Sequence, residues 1–243
     1  MSSDNTEKSQ IDAVATSGRG KPNRLGRRPG ADGPAALSRQ RILAAAMNLA
    51  DSSGLEQLSM RNLATSLGVK AMSLYNHITK RDDIIDALVD QVIGEIQVPD
   101  CTCDWRAAMR QRAHSAHQAL LRHPWATLAI VSRVNAGPAM LAYIEATLAC
   151  LVQAGFSPEA ADHVWNALDS YIYGYTLQQL KFPFKAEEYR EAAAAYLPSI
   201  PESRYPHFVG LGRQIINGSY DGLHQLDFGL EPLLNGLERE IGR

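Results

Sequence analysis

From about residue 38 onward, apolar residues recur along this chain at helical intervals, and nowhere do they alternate as in a strand. A first helix is predicted over 38–51, where Ile42, Ala46, Leu49 and Ala50 share a face, Ser38 holds the N-cap position and Gly54 follows the end. Ser59 caps a second, with Met60, Leu63, Ala64 and Leu67 as its stripe and Gly68 as its stop. A short third helix over 70–77 turns Leu74 inward, with Ile78 beside it. The fourth opens on the capping-box sequence Thr79-Lys80-Arg81-Asp82 and carries Ile84, Ile85, Leu88, Val89, Val92, Ile93 and Ile96 on one side. Val98-Pro99 ends it, because the residue before proline is pushed out of helical space.

The remainder keeps the same period. An amphipathic segment spans 104–123 and is broken by Pro124; another spans 138–155. Ser157-Pro158-Glu159 combines an N-cap, a proline at the first helical position and an early acid, opening a helix that runs to about 181, ahead of Pro183. An Ala-rich helix is predicted over 187–196, a short one near 208–217 and a last one over 230–241. No repeat of 20–50 residues is visible. The fold class is all-α.

Composition narrows the class. The chain has 243 residues, 45% hydrophobic and 21% charged, and no apolar run approaches the length of a membrane span. The first thirty residues lack an apolar segment, so no secretory signal is expected. Three cysteines, Cys101, Cys103 and Cys150, are too few and too unevenly spaced for a disulfide framework, which suits a cytoplasmic protein. The net charge of −2 hides a strong asymmetry. Residues 18–81 hold eleven Lys and Arg against three acids, a formal +8, while 82–243 carry −8. A basic N-terminal third on an acidic remainder points to a polyanion-binding module beside a different one, although a solvated basic tail gives the same signal.

Residues 58–77 read as a helix-turn-helix. Gly68 supplies the left-handed turn, Val69 packs into the angle, and a second short helix leaves steeply. Its outward residues, Lys70, Ala71, Ser73, Tyr75, Asn76 and His77, are types that fit a major groove and reach base edges or phosphates. Lys80 and Arg81 stand at the next helix N-terminus, where a phosphate would also meet the helix dipole. A compact helical hairpin without DNA has the same spacing; the charge and the basic arm favour DNA. The arm, with Arg19-Gly20-Lys21-Pro22 and Gly26-Arg27-Arg28-Pro29-Gly30, either enters a minor groove or adds only salt-dependent affinity.

On Ser38-Arg39-Gln40-Arg41-Ile42-Leu43, Ser59-Met60-Arg61-Asn62-Leu63-Ala64, Leu67-Gly68-Val69, Ser73-Leu74-Tyr75-Asn76-His77 and Ile84-Ile85-Asp86-Ala87-Leu88, the sequence resembles the TetR family of bacterial transcriptional repressors. The rest is similar to the tetracycline-repressor type of C-terminal domain, through Asp104-Trp105, Leu120-Leu121-Arg122-His123-Pro124-Trp125, Gln153-Ala154-Gly155-Phe156-Ser157, Phe228-Gly229-Leu230 and Leu234-Asn235-Gly236-Leu237-Glu238. Residues 1–35, Ser-, Gly- and Pro-bearing and without apolar periodicity, read as a disordered basic arm, and the resemblance implies a three-helix helix-turn-helix DNA-binding domain over 36–98 and an effector-binding and dimerisation domain over 99–243. It implies a homodimer on a palindromic double-stranded operator. Arg61, Ala71, Met72 and Ser73 then face bases, and Tyr75, His77 and Arg81 contact phosphates; Ser59, Lys70, Asn76 and Lys80 complete the interface. Ala71 and Asn76 depart from the tetracycline repressor's amide and large aromatic, so a different base preference follows.

For the effector the candidates are Trp125, Met140, Tyr143, Ile144, Trp165, Leu168, Tyr171, Tyr175 and Gln178, the last four able to share one helix face. Each would serve equally as core or dimer interface. Ile130, Val131 and Ser132 occupy the region where the tetracycline-repressor type places a metal-binding histidine, so an aromatic or lipophilic effector is expected rather than a metal-chelated drug. His114 and His117 could meet Cys101 or Cys103 at a metal, but no fourth ligand is evident, and neither metal nor cofactor is expected. No nucleophile elbow, phosphate loop or His-x-x-x-His appears, so enzymatic activity is not expected either. The reading is an effector-released repressor; an effector-independent regulator controlled by a protein partner is the alternative.

Overall fold

The computed structural model describes residues 36–241, and among them there is no β-strand. The arm predicted over 1–35 lies outside the described residues. Eleven α-helices follow in order. The first four are α1 (Arg39–Ser53), α2 (Met60–Leu67), α3 (Ala71–Leu74) and α4 (Arg81–Gly94). Then come α5 (Trp105–Arg122), α6 (Ala126–Val131), α7 (Pro138–Gln153) and α8 (Pro158–Lys181). Last are α9 (Ala186–Tyr196), α10 (Pro206–Ile216) and α11 (Leu226–Leu237).

The helix starts follow from side chains that satisfy orphan backbone N–H groups. Ser38 Oγ accepts from Arg41 N at 3.2 Å, Ser59 Oγ from Asn62 N at 3.1 Å and Ser157 Oγ from Ala160 N at 3.2 Å. Asp104 Oδ1 accepts from Arg106 N and Ala107 N, both at 3.1 Å. The capping box of α4 falls one residue later than predicted. Asp83, not Asp82, reaches back, accepting from Lys80 N at 3.2 Å, and a lysine side chain cannot return the bond.

Three other boundaries differ. The third helix is four residues, with turns carrying the chain to His77, since Lys70 offers no side-chain cap. Helix α6 was not anticipated: its six residues are too short to show a period. Helix α11 starts at Leu226 rather than 230 and keeps Pro232 in its interior.

One apolar core runs from Ile42 and Leu43 on α1, through Leu88 and Val92 on α4 and Leu120 on α5, to Leu230 and Leu234 on α11. Burying each such Leu, Ile or Val contributes roughly 1.5–3 kcal/mol. Helix α4 packs on α7, and α5 and α7 on α8, so the segment bearing α1–α4 shares its core with the rest. From Leu37 the chain is one compact unit. Helices α9 and α10 pack mainly on each other; α9 buries no residue fully, and Val209 and Ile215 of α10 lie outside the main core.

Candidate nucleic-acid interface and effector site

Gly68 ends α2 at φ 67°, ψ 31°, the left-handed conformation. A Cβ there would meet nothing within 4 Å, so the requirement is conformational, not steric. Val69 N donates to Ala64 O at 3.0 Å, and α3 leaves with Leu74 fully buried beneath it. Arg61, Lys70, Met72, Tyr75, Asn76, His77 and Lys80 are exposed, Met72 at 75% and Tyr75 at 48%. A methionine so exposed gains nothing from folding and is available to a partner. Ala71 and Ser73 are half-buried on the same short helix, and Ser59 is half-buried with its hydroxyl engaged as the α2 cap.

Arg81 is placed differently from the sequence expectation. It is half-buried, and its guanidinium donates to the carbonyls of Leu58 and Leu55, so it holds the turn before α2 against α4. It is a brace of this head before it is a phosphate contact.

Two sets of polar contacts tie the head to the other helices. His123, which closes α5, directs Nδ1 to Asp51 Oδ1 at 2.8 Å and Nε2 to Glu95 Oε1 at 3.1 Å. Trp125 Nε1 donates to the same Asp51 oxygen at 2.7 Å, and Arg122 Nη2 to Glu95 Oε2 at 2.6 Å. Burial pushes the Glu95 carboxyl up, but hydrogen bonds from Arg122 and His123 outweigh it and hold the group below its usual value. Nearer α3, Asp90 of α4 accepts from Met140 N at 2.9 Å and Ala139 N at 3.3 Å, capping α7 from another helix. Arg133 donates to Asp86 at 2.8 Å and Asp82 at 3.1 Å.

An open cavity of about 970 Å³ lies between α8 and the segment leading into α11, lined by Tyr171, Tyr175 and Gln178 and by Tyr220, His224 and Phe228. Tyr171 Oη donates to Leu226 O and Tyr175 Oη to His224 O, each at 2.7 Å, which fixes the two rings. Gly229 is required beside them: a Cβ there would come within 2.4 Å of Tyr171 Oη. A second cavity of about 580 Å³ shares Tyr175 and Gln178, and a third, about 360 Å³ and apolar, lies between α9 and α10.

Deeper in the helices is a buried polar cluster. Arg112 of α5 is 0% exposed and donates through Nη2 to Asp169 Oδ1 of α8 at 2.5 Å. Asp169 Oδ2 accepts from Trp165 Nε1 at 2.8 Å and Tyr173 Oη at 3.1 Å. The guanidinium lies 4.7 Å from the centre of the Tyr143 ring of α7. Burial pushes the Tyr143 and Tyr173 hydroxyls well up, so both stay protonated donors. Arg112 Nε and Nη1 and Tyr143 Oη have no hydrogen-bond partner among the described residues, nor has Thr127 Oγ1 on α6. Each orphan of this kind costs about 1–3 kcal/mol.

Comparison with known proteins agrees with this layout. Residues 42–88 match the tetR family of bacterial regulatory proteins, and residues 98–241 match the tetracyclin repressor-like C-terminal domain. The chain belongs to the TetR family of bacterial transcriptional regulators. A helix-turn-helix-type regulator of Saccharopolyspora erythraea is 33% identical over 175 residues, 72% of this chain and 74% of that protein. The helix-turn-helix-type transcriptional repressor DrrR1 of Streptomyces coeruleorubidus is 30% identical, over 88% of this chain and 82% of its own. The crystal structure of the TetR family protein ActR of Streptomyces coelicolor in complex with actinorhodin is similar with a TM-score of 0.71 and 28% identity, over 86% of this chain and 100% of that one.

Of the effector candidates in this TetR-family chain, Tyr171, Tyr175 and Gln178 border the two open cavities beside α8. Met140 and Leu168 are buried in the core, and Ile144 packs half-buried against it. Trp125 directs its N–H to Asp51, at the contact between α1 and α5. Tyr143 and Trp165 belong to the Arg112 cluster. His114 and His117 face different partners, Asp227 Oδ1 at 2.7 Å and Thr176 Oγ1 at 2.8 Å.

Sequence reasoning missed Arg112, Asp169, His123 and Asp90. Arg112 had a legible sign: it falls at helical spacing within the stripe Ala108, Met109, Ala113, Ala116, where a cation is out of place. No helix among the described residues is long and apolar enough to cross a membrane.

Proposed function

We propose that this chain is a cytoplasmic repressor that binds a palindromic operator as a homodimer and is released by a small organic effector. The observation that carries the reading is a helix-turn-helix whose α3 presents Met72, Tyr75, Asn76 and His77 to solvent while Leu74 anchors it. In this assignment residues 36–98 bind DNA and 99–243 bind effector and a second copy, with 1–35 as a basic arm. Arg61, Ala71, Met72 and Ser73 read bases, and Lys70, Tyr75, His77 and Lys80 hold phosphates. The effector enters the α8 side, where Tyr171, Tyr175 and Gln178 border the larger cavity. DrrR1 is named a repressor and ActR is described with a bound small molecule, which supports the same reading here.

Release follows if the effector prefers the arrangement of α5 and α7 that carries the head away from its DNA-binding position. The contacts of His123 with Asp51 and of Asp90 with the start of α7 are the physical links through which such a shift reaches α1 and α4. The test is a gel-shift titration against the intergenic DNA upstream of the protein's own gene. A saturable shift that resists nonspecific competitor and is reversed by members of an aromatic compound panel is the expected result. Binding that no compound alters, and that a protein partner relieves, would replace the effector with that partner.

A further inference from the structure

The Arg112 cluster has more donors than acceptors. Its one carboxylate, Asp169, already accepts from Arg112 Nη2, Trp165 Nε1 and Tyr173 Oη. A guanidinium carries five N–H groups and no acceptor, so Nε and Nη1 of this fully enclosed arginine need oxygen atoms from elsewhere. Tyr143 Oη, on the ring against which the guanidinium lies, is unpartnered as well. Buried polar groups are almost always satisfied, and a buried cation most of all. Three orphaned atoms on two helices facing one another therefore mark the place of a missing acceptor.

We propose that Arg112 and Tyr143 form the polar end of the effector site, and that they take an oxyanion, a carboxylate or ionised phenol, borne on an otherwise apolar molecule. The proposal rests on the effector reading above and adds the ligand's chemical class. An oxyanion fits better than a neutral carbonyl because Nε, Nη1 and the Tyr143 hydroxyl bring several hydrogens to one place, and a carboxylate offers about four lone-pair sites where a carbonyl offers two. The neighbouring helix positions are apolar, Met140 one turn before Tyr143 and Leu168 beside Asp169, which suits an aromatic or aliphatic body. Trp165 and Tyr173 are half-buried, so the cluster reaches toward the α8 surface at its outer edge.

Calorimetric titration of the full-length protein with 2-naphthoate and with its neutral isostere 2-naphthamide tests this. The acid is expected to bind at least tenfold tighter than the amide. Tyr143→Phe should lower acid affinity about tenfold with little change for the amide. Arg112→Met combined with Asp169→Asn, which leaves no charge unpaired, should abolish the preference. Equal binding of both probes, or a preference unchanged in both variants, would overturn the oxyanion site while leaving the effector reading intact. Binding of neither probe at millimolar concentration also overturns it. The effector reading itself falls only if no compound of any class reverses operator binding.

Discussion

His123 at the end of α5 faces Asp51 in the last turn of α1, Nδ1 to Oδ1 at 2.8 Å. The same carboxylate oxygen accepts from Trp125 Nε1 at 2.7 Å, while the other ring nitrogen of His123 meets Glu95 at the end of α4. One histidine thus joins the ends of three helices, two from the DNA-binding head and one from the remainder. A displacement of α5 must either carry α1 and α4 with it or break hydrogen bonds made by the buried ring of His123.

Asp51→Ala deprives both His123 and the buried Trp125 indole of an acceptor. The cost expected is about 1–3 kcal/mol, or a fall in melting temperature of roughly 2–10 °C. Asp51→Asn keeps an acceptor oxygen for the indole and should lose less than half as much. Thermal unfolding of the two variants side by side checks the order.

Tyr75 and Arg81 should separate in experiment. Tyr75→Ala and His77→Ala remove exposed groups without partners among the described residues, so operator affinity falls by about tenfold or more while the melting temperature holds. Arg81→Ala removes two donors to backbone carbonyls of the turn before α2, and should lower the melting temperature as well as affinity. An Arg81→Ala protein as stable as wild type would return Arg81 to a pure phosphate role.

Gly68→Ala forces a left-handed conformation on a residue with a Cβ, at about 1–2 kcal/mol. Because no neighbour lies within 4 Å, the loss is conformational, and Gly68→Asn should recover part of it. Chemical denaturation measures both. Equal losses for Ala and Asn would mean that the turn is held by something other than backbone preference.

Acid should weaken the fold through His117. Burial depresses this imidazole below its ordinary value of 6.5, the nearby His114 adds to the effect, and a hydrogen bond with Gln179 opposes it. The unfolded chain then binds the proton more readily than the folded one. Its contribution is therefore fully present above about pH 6.5 and is lost as pH falls through the lowered folded value. His117→Gln, compared with wild type in melts from pH 7.5 to 5, should show a flatter slope in that window.

Helix placement was legible because the caps are local: Ser38, Ser59 and Ser157 act where the sequence puts them. The outward face of α3 was legible too, since Leu74 alone needs burial and its neighbours follow by helical geometry. Boundaries failed where a local signal is weak, as in the six residues of α6, or where a tertiary contact supplies the cap, as Asp90 does for α7. The effector candidates were harder to sort. Tyr143, Trp165, Leu168 and Tyr171 look alike as apolar or aromatic positions, yet they end in a polar cluster, a core and a cavity wall.

By itself the sequence determined an all-helical chain, a turn at Gly68 and a basic head, because periodicity, caps and left-handed glycine are properties of a few adjacent residues. Only the tertiary structure decided that Arg81 braces the head, that His123 joins three helix ends, and that Arg112 is enclosed with one carboxylate and unpaired nitrogens. Those facts depend on which acceptors lie within about 3.2 Å in space, and the partners stand between 23 and 72 residues apart along the chain.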